Sequence, residues 1–301
     1  MNLLSLKNMN TEKVNKLLEL AADIKLNPNK YSNSLKGKSL LMFFAKPSLR
    51  TRISFDVGIK QLGGFSIVID TNNTPLGKKE TIEDTAKVCS KYVNCIMARM
   101  FKHESIVKLA KNTTIPVING LTDDYHPCQI LSDLLTIKEK KGNLKGLKLC
   151  FLGDGLNNIT HSLLIGCALV GINISIGCPS EAMPKKEVIE YAKEIANSKV
   201  IITNDPVEAI KDADIVYTDT WMSYHIKLTE KEQRIQLFKP YQVNAAIVKN
   251  AKQDFTFMNC LPALRGYEQT TEVIDGPNSV VFDQAENRLH MQKAILLELL
   301  K

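Results

Sequence analysis

No Cys-x-x-Cys pair occurs in the chain, and its seven cysteines (Cys89, Cys95, Cys128, Cys150, Cys167, Cys178 and Cys260) are an odd number. That argues against a disulfide framework and against a zinc knuckle. Reduced thiols, and hence a cytoplasmic setting, fit best. The opening residues, MNLLSLKNMNTEK, lack a basic start followed by a long apolar region, so no secretory signal is expected. Long hydrophobic runs are missing too. The longest uncharged stretch, 155–180, is broken by Asn157, Asn158, His161, Gly171 and Asn173 and reads as a helix then a strand, not as a membrane span. The chain has no proline-, serine- or glycine-rich tract and no fixed short repeat, which excludes a disordered linker and a solenoid. Its formal charge is +7, but the lysines are scattered, and the densest groups, Lys138-Glu139-Lys140-Lys141 and Lys185-Lys186-Glu187, include acids. Solvated helix faces explain both groups better than a nucleic-acid surface. Net positive charge still favours approach of a small anion.

What is present is ample apolar material: 44% hydrophobic and 24% charged residues in 301, enough for two domains of about 150 residues each. Short apolar runs rich in β-formers recur at 40–44, 65–69, 95–98, 116–118, 147–152, 172–176, 200–202, 215–217, 255–258 and 280–282. Between most of them, at 11–24, 52–62, 82–92, 159–170, 185–196 and 285–300, apolar residues fall three and four apart, the period of a helix. Alternation of this kind predicts an α/β fold with parallel sheets covered by helices on both faces. The division between domains is expected at 140–145, where a helix opening at His126 ends in a Lys- and Gly-containing turn. In doubly wound sheets ligands bind beyond the carboxyl ends of the strands, so the functional motifs belong at strand-to-helix turns.

The first such turn is Ala45-Lys46-Pro47-Ser48-Leu49-Arg50-Thr51-Arg52, which follows the run 40–44 and precedes the helical period of Ile53, Phe55, Val57, Ile59 and Leu62. The first N–H groups of a helix lack intrahelical partners and carry the positive end of its dipole, so this is where an anion binds. Ser48, Arg50 and Thr51 add donors and charge. An N-cap with surface basics would account for Ser48 alone; three cations, Lys46, Arg50 and Arg52, within seven residues favour an anion site.

The segment FFAKPSLRTRISFDVGIKQLGG resembles the phosphate-binding signature of the aspartate and ornithine transcarbamoylases. Further matches follow in the family's order: Ala98-Arg99, His126-Pro127-Cys128-Gln129, Gly153-Asp154-Gly155 with Asn157-Asn158, Asp219-Thr220-Trp221-Met222-Ser223, Asn259-Cys260-Leu261-Pro262, and Ala285-Glu286-Asn287-Arg288. The later motifs resemble the ornithine branch. The resemblance implies two doubly wound parallel-sheet domains joined by crossing helices: a carbamoyl phosphate-binding domain over 1–140, to which the last helix, 284–301, returns, and an ornithine-binding domain over 141–283. It also implies a homotrimer, or a multiple of trimers, with carbamoyl phosphate and ornithine as its small-molecule partners.

Carbamoyl transfer needs an uncharged amine to attack the carbonyl carbon while charge grows on the carbonyl oxygen and phosphate leaves. By resemblance Lys46, Ser48, Leu49, Arg50 and Thr51 hold the phosphate. Arg99, His126 and Arg288 point at the carbamoyl group, and Gln129 bonds its NH2. Taken alone, His126 could equally open a helix, and Arg288 could equally pair at the surface with Glu286 or Asp283. Cys260 and the carbonyl of Leu261 are implied to contact the reacting amine and carbamoyl group. No His or acid adjoins Cys260 in the sequence, so it is not read as a covalent nucleophile. Asp219, after the run 215–217, suits the ammonium of an α-amino acid, with Ser223 as a further contact; a capping Asp is the structural alternative. Asn158 and Tyr224 complete the implied ornithine set. The turn Gly153-Asp154-Gly155-Leu156-Asn157-Asn158 is not a dinucleotide fingerprint, because Asn158 stands at its third glycine and no acid ends the next strand. No metal or organic cofactor is implied.

Some positions depart from the ornithine pattern. Ser223-Tyr224-His225 replaces Ser-Met-Gly, Asn259 replaces a His before Cys260, and Leu264 replaces a second His. Leu49 stands where Thr is common, and Pro75 where a Gln or His reaches a neighbouring subunit's phosphate. They leave two other readings open: a transcarbamoylase for another amine, such as an acylated ornithine or a diamine, and a weakly active binding or assembly partner.

Overall fold

The computed structural model describes residues 1–71, 79–223 and 226–301. It divides into two compact units, one of Met1–Leu135 with Asn287–Lys301, the other of Thr136–Glu286. Sequence reading had put the boundaries at 140/141 and 283/284. The observed ones fall inside two long helices, where no loop composition marks them.

The first unit holds α1 (Thr11–Leu26), β1 (Ser39–Phe44), α2 (Arg50–Gln61), β2 (Phe65–Asp70), α3 (Ile82–Tyr92), β3 (Cys95–Arg99), α4 (His103–Lys111), β4 (Val117–Leu121) and the start of α5 (Pro127–Lys141). Its four strands are parallel in the order β2-β1-β3-β4. Every residue of β1 is buried, as expected of a strand covered on both faces. The edge strand β2 instead exposes Phe65, Ile67 and Val68. Beyond β4, Leu3 forms a parallel bridge to Ile118.

The second unit holds β5 (Lys148–Leu152), α6 (Asn158–Val170), β6 (Asn173–Gly177), α7 (Lys186–Ile195), β7 (Val200–Thr203), α8 (Pro206–Ile210), β8 (Ile215–Tyr217), α9 (Lys231–Phe238), α10 (Ala245–Val248), β9 (Thr256–Met258), α11 (Thr271–Ile274) and the opening of α12 (Val281–Leu300). Its five parallel strands run β7-β6-β5-β8-β9. The uncharged stretch 155–180 is indeed a helix and a strand. From Ile159 onward every residue of α6 is buried, which explains a sequence apolar on all sides. Among the described residues no helix is long and apolar enough to cross a membrane.

The run 280–282, read as a strand, is instead the start of α12. Gln284 N already bonds Val280 O at 2.8 Å, and only Ser279 bridges to the sheet, at Phe257. Three apolar residues carry no period, so the helical continuation decides their conformation.

Each sheet has one place where the chain reverses its direction of strand addition: between β1 and β3 in the first unit, and between β5 and β8 in the second. Ligands bind at the carboxyl ends of strands flanking such a reversal. In the first unit those ends are Phe44 and Arg99; in the second they are Leu152 and Tyr217.

Candidate active site

In the first unit the turn after β1 starts beside the end of β3, because Ala45 N bonds Arg99 O at 2.9 Å. Lys46 is 3% exposed, its Nζ 2.5 Å from Asp123 Oδ1 and 4.6 Å from the centre of the Phe101 ring. Burial pushes its pKa down and Arg99 adds to the effect, while Asp123 opposes it. Ser48 and Arg50 are half-buried, Thr51 is buried, and Leu49 is exposed with no capping side-chain bond of its own. Arg50 and Thr51 are the first residues of α2, so the turn has the geometry expected of an anion-binding helix start. Arg52 is exposed, its guanidinium 5.1 Å from the Phe44 ring, an aromatic contact that accounts for it without an anion.

The pairing of β3 with β4 slips by one residue at Ala98/Arg99, so that Ala98 faces Asn119 and Arg99 faces Leu121. Gly120 is the skipped residue. A Cβ there would lie 2.4 Å from Met97 Sδ, so any larger residue would displace the buried Met97 side chain, and a bulge of this kind re-aims the side chain beside it. His126, Gln129 and Arg288 are all buried in the same unit. The His126 pKa is held well below its ordinary value, first by burial and then by the positive charges of Arg288, Arg99 and Lys46. The ring is therefore a neutral imidazole that can donate one hydrogen bond without carrying charge. Arg288 Nη2 donates to Thr51 Oγ1 at 2.8 Å, tying the last helix to the first turn of α2. Arg288 is buried and not a surface side chain, and Asp283, one of the acids considered for it, is 2.5 Å from Lys140 Nζ.

Gln129 Nε2 donates to Asp133 Oδ1 at 2.8 Å, one helical turn along α5, and both side chains are buried. This leaves Gln129 Oε1 buried with no hydrogen-bond partner in the protein. A buried acceptor without a partner is costly, and an amide NH2 is the group that would satisfy it.

In the second unit, Asp219 follows β8 and is 6% exposed. Asn157 Nδ2 donates to its Oδ2 at 2.8 Å, and Cys260 Sγ to its Oδ1 at 3.2 Å. These partners are neutral. Burial raises the Asp219 pKa against the bonds from Thr220, Cys260 and Asn157, and the charge of Asp154 raises it further. A buried carboxylate held by neutral donors is the complement of an ammonium group. Asp219 is not a helix cap. That role falls to Asn157, whose Oδ1 accepts from Ile159 N at 2.8 Å. Asn158 is the half-buried first residue of α6, and Ser223 is half-buried. Tyr224, His225 and Pro75 lie outside the described residues.

The loop carrying Cys260 is fixed by Asn259, which is fully buried. Asn259 N bonds Gln284 Oε1 at 3.0 Å, its Nδ2 bonds Gln269 Oε1 at 3.0 Å, and its Oδ1 accepts from Leu261 N at 2.8 Å. Leu261 has φ +57, and the Leu261–Pro262 peptide is cis. Glu268, 1% exposed, accepts from Trp221 N at 3.2 Å and Leu264 N at 3.1 Å. Its pKa is raised by burial, and Asp219 contributes to the rise. Arg234 donates to Asp154 Oδ2 at 2.5 Å and to Trp221 O at 2.7 Å. Trp221 in turn closes over Gly153, which has φ +133; a Cβ there would lie 3.3 Å from Trp221 Nε1.

The structure thus gathers Lys46, Thr51, Arg99, His126, Gln129 and Arg288 in one unit, and Asp219 with Cys260 in the other. Leu49 O accepts from Ile53 N at 3.0 Å, and among the described residues no side-chain hydrogen bond reaches Ser48 or Leu49. Sequence reasoning missed Asp133, Asn157, Glu268 and Arg234. The spacing of Asp133 from Gln129 could have revealed it; the others join elements distant in sequence. Among the described residues, no group of three or more His, Cys, Asp or Glu could hold a metal.

Comparison with known proteins matches both units. Residues 1–139 match the family model described as aspartate/ornithine carbamoyltransferase, carbamoyl-P binding domain, and residues 145–299 match its Asp/Orn binding domain. The ornithine carbamoyltransferase of Bacillus subtilis is 52% identical over 302 residues, covering 99% of this chain and 93% of that protein. That of Methanocaldococcus jannaschii is 48% identical over 299 residues, covering 98% and 97%. Among solved structures, ornithine carbamoyltransferase from Pyrococcus furiosus superposes with a TM-score of 0.96 at 46% identity, covering 99% of this chain and 96% of that one.

Proposed function

Since the chain belongs to the aspartate/ornithine carbamoyltransferase family, we propose that it transfers the carbamoyl group of carbamoyl phosphate to the side-chain amine of L-ornithine, giving L-citrulline and phosphate, within arginine metabolism. The observation that carries this reading is the donor set around His126, with Gln129 offering a lone acceptor beside it. A carbamoyl group presents one carbonyl oxygen that accepts and one NH2 that donates, the reverse pattern.

Residues 1–140 with 284–301 take carbamoyl phosphate, and 141–283 take ornithine. The first turn of α2 holds the phosphate through Ser48, Arg50, Thr51 and backbone N–H groups, including that of Leu49, with Lys46 beside it. Arg99, neutral His126 and Arg288 donate to the carbonyl oxygen as negative charge grows there. Preorganised donors of this kind each contribute about 2.7–4 kcal/mol to a transition state. The amine nitrogen forms a bond to the carbonyl carbon, the bond from that carbon to the phosphate oxygen breaks, and the amine proton ends on the departing phosphate. Asp219 receives the α-ammonium of ornithine, with Asn158, Ser223 and Tyr224 around the amino acid. Cys260 and the Leu261 carbonyl face the reacting amine. No residue forms a covalent intermediate.

Incubation with carbamoyl phosphate and a panel of amines, following phosphate release and product mass, tests the assignment. Citrulline formed from ornithine is the expected result; turnover confined to an acylated ornithine or a diamine would overturn it.

Assembly into trimers is part of the same proposal. The edge strand β2 exposes Phe65, Ile67 and Val68, and α2 exposes Ile53. An uncovered parallel edge with apolar side chains invites association. A solution mass of one chain would contradict it. A cytoplasmic setting is inferred from seven cysteines that are all free thiols.

A further inference from the structure

The first unit contains a cavity of about 330 Å³, within the size range of small-molecule sites. It opens at the carboxyl end of α2, away from the phosphate turn at the helix's other end, and α12 forms its opposite wall. Lys25, Tyr31, Ser32, Gln61, His290 and Lys293 line it, and no carboxylate does.

Lys293 is the telling residue. It is 3% exposed, and its stem crosses α2 at Gly58, where an added Cβ would lie 3.3 Å from Lys293 Cγ. Its Nζ donates to Gln61 Oε1 at 2.9 Å, a neutral amide, and no ion pair joins it to any of the described residues. Burial without a countercharge depresses its pKa. A buried ammonium is normally paired. Asp23, two residues before Lys25 on α1, is already held by Lys30 at 2.6 Å, by Asn27 at 2.6 Å and by the Tyr31 hydroxyl. Lys25, half-buried, brings a second ammonium to the same cavity, with its Nζ 2.8 Å from Asn287 Oδ1. His290 adds an imidazole, and Tyr31 and Ser32 add hydroxyls.

We propose that this cavity is a second anion site, separate from the phosphate turn, which takes a small phosphate-class dianion between Lys293 and Lys25. Ammonium groups bind phosphate as point charges from several directions, which suits two lysines reaching in from different helices. The walls also connect to the reaction centre. α2 runs from Arg50 to Gln61, and α12 carries Arg288 one turn and a half before Lys293, so an occupant would bridge the same two helices that the Arg288–Thr51 bond joins.

The test is calorimetric titration of inorganic phosphate into the wild-type protein, Arg50→Ala, Lys293→Met and the double variant. Two classes of site are expected in the wild type, one in each single variant and none in the double variant. Loss of a charge-assisted contact should weaken the second class about tenfold to a hundredfold. The phosphate-turn class persisting unchanged in Lys293→Met would show that the variant folds. Should that class vanish as well, Lys25→Met, at a half-buried position, replaces it with the same expectation. A single class in the wild type, or two undiminished classes in both lysine variants, would overturn the proposal. Neither outcome depends on which amine accepts the carbamoyl group.

Discussion

The two regions proposed to handle the two halves of the reaction are of opposite electrical character. In the first unit the positive charges of Lys46, Arg99 and Arg288 act on a buried His126, and Asp123 bonds Lys46. In the second, the charge of Asp154 acts on Asp219 and that of Asp219 on Glu268, and Arg234 forms an ion pair with Asp154. The consequence appears in the titrations. Burial, reinforced by the neighbouring cations, holds His126 below its ordinary pKa, while burial, reinforced by Asp154, holds Asp219 above its own. Each region gathers buried groups of one sign, the opposite of the sign borne by the substrate group it is proposed to bind. Such arrangements cost folding free energy and are kept where binding repays them.

If the positive region acts on the transition state, its loss should appear in kcat. Arg99→Ala is expected to lower kcat about a hundredfold or more, measured by phosphate release at saturating substrates. An unchanged kcat with only a raised KM would assign Arg99 to ground-state binding and break the contrast. If the negative region acts on the acceptor, Asp219→Asn should raise the KM for ornithine by about tenfold to a hundredfold, the worth of a charge-assisted bond. The KM for carbamoyl phosphate should barely move. Equal effects of both substitutions on both substrates would mean that the two regions do not divide the work. A smaller effect probes orientation. In Asp133→Asn the acceptor that fixes the Gln129 amide becomes a group that can donate as well, so KM for carbamoyl phosphate should rise by roughly two- to tenfold. The KM for ornithine is the control, and a rise there instead would make Asp133 merely structural.

Much of this was legible in the sequence, and what was not has a common cause. Strands such as β1 and β5, and helices such as α3, were readable because period and composition are local properties. The short helices α8, α10 and α11 were not read, being too brief to show a period, and 280–282 misled for the same reason. Lys46, Arg99, His126, Asp219 and Cys260 were recognisable from ordered motifs at strand ends. Their partners were mostly not. Asp123 is 77 positions from Lys46, Arg234 is 80 from Asp154, and Asn157 is 62 from Asp219, so only the strand order makes them neighbours. Gly120 hid in plain view, since its role depends on a register shift that no spacing reveals. Asn259, which looked like a loss relative to a histidine, proves to be a fully hydrogen-bonded support for Leu261.

The finest test of the contrast is thermal. A carboxyl whose folded-state pKa is raised is penalised when ionised, so its contribution to stability is present below the unfolded-state pKa and lost as pH rises through the folded one. At neutral pH wild-type Asp219 carries that penalty, whereas Asp219→Asn does not. The variant should therefore melt slightly higher at pH 7, at about 2–4 °C per kcal/mol gained. The gain should shrink as pH falls into the ordinary carboxylate range, because Asp219 is then protonated in both states. Ornithine added with inorganic phosphate should reverse the order at pH 7, since only the wild type offers a carboxylate to the ammonium and binding stabilises the state that binds. A variant that melts lower than wild type at pH 7 without ligand would show that Asp219 is a structural anchor whose hydrogen bonds outweigh its buried charge.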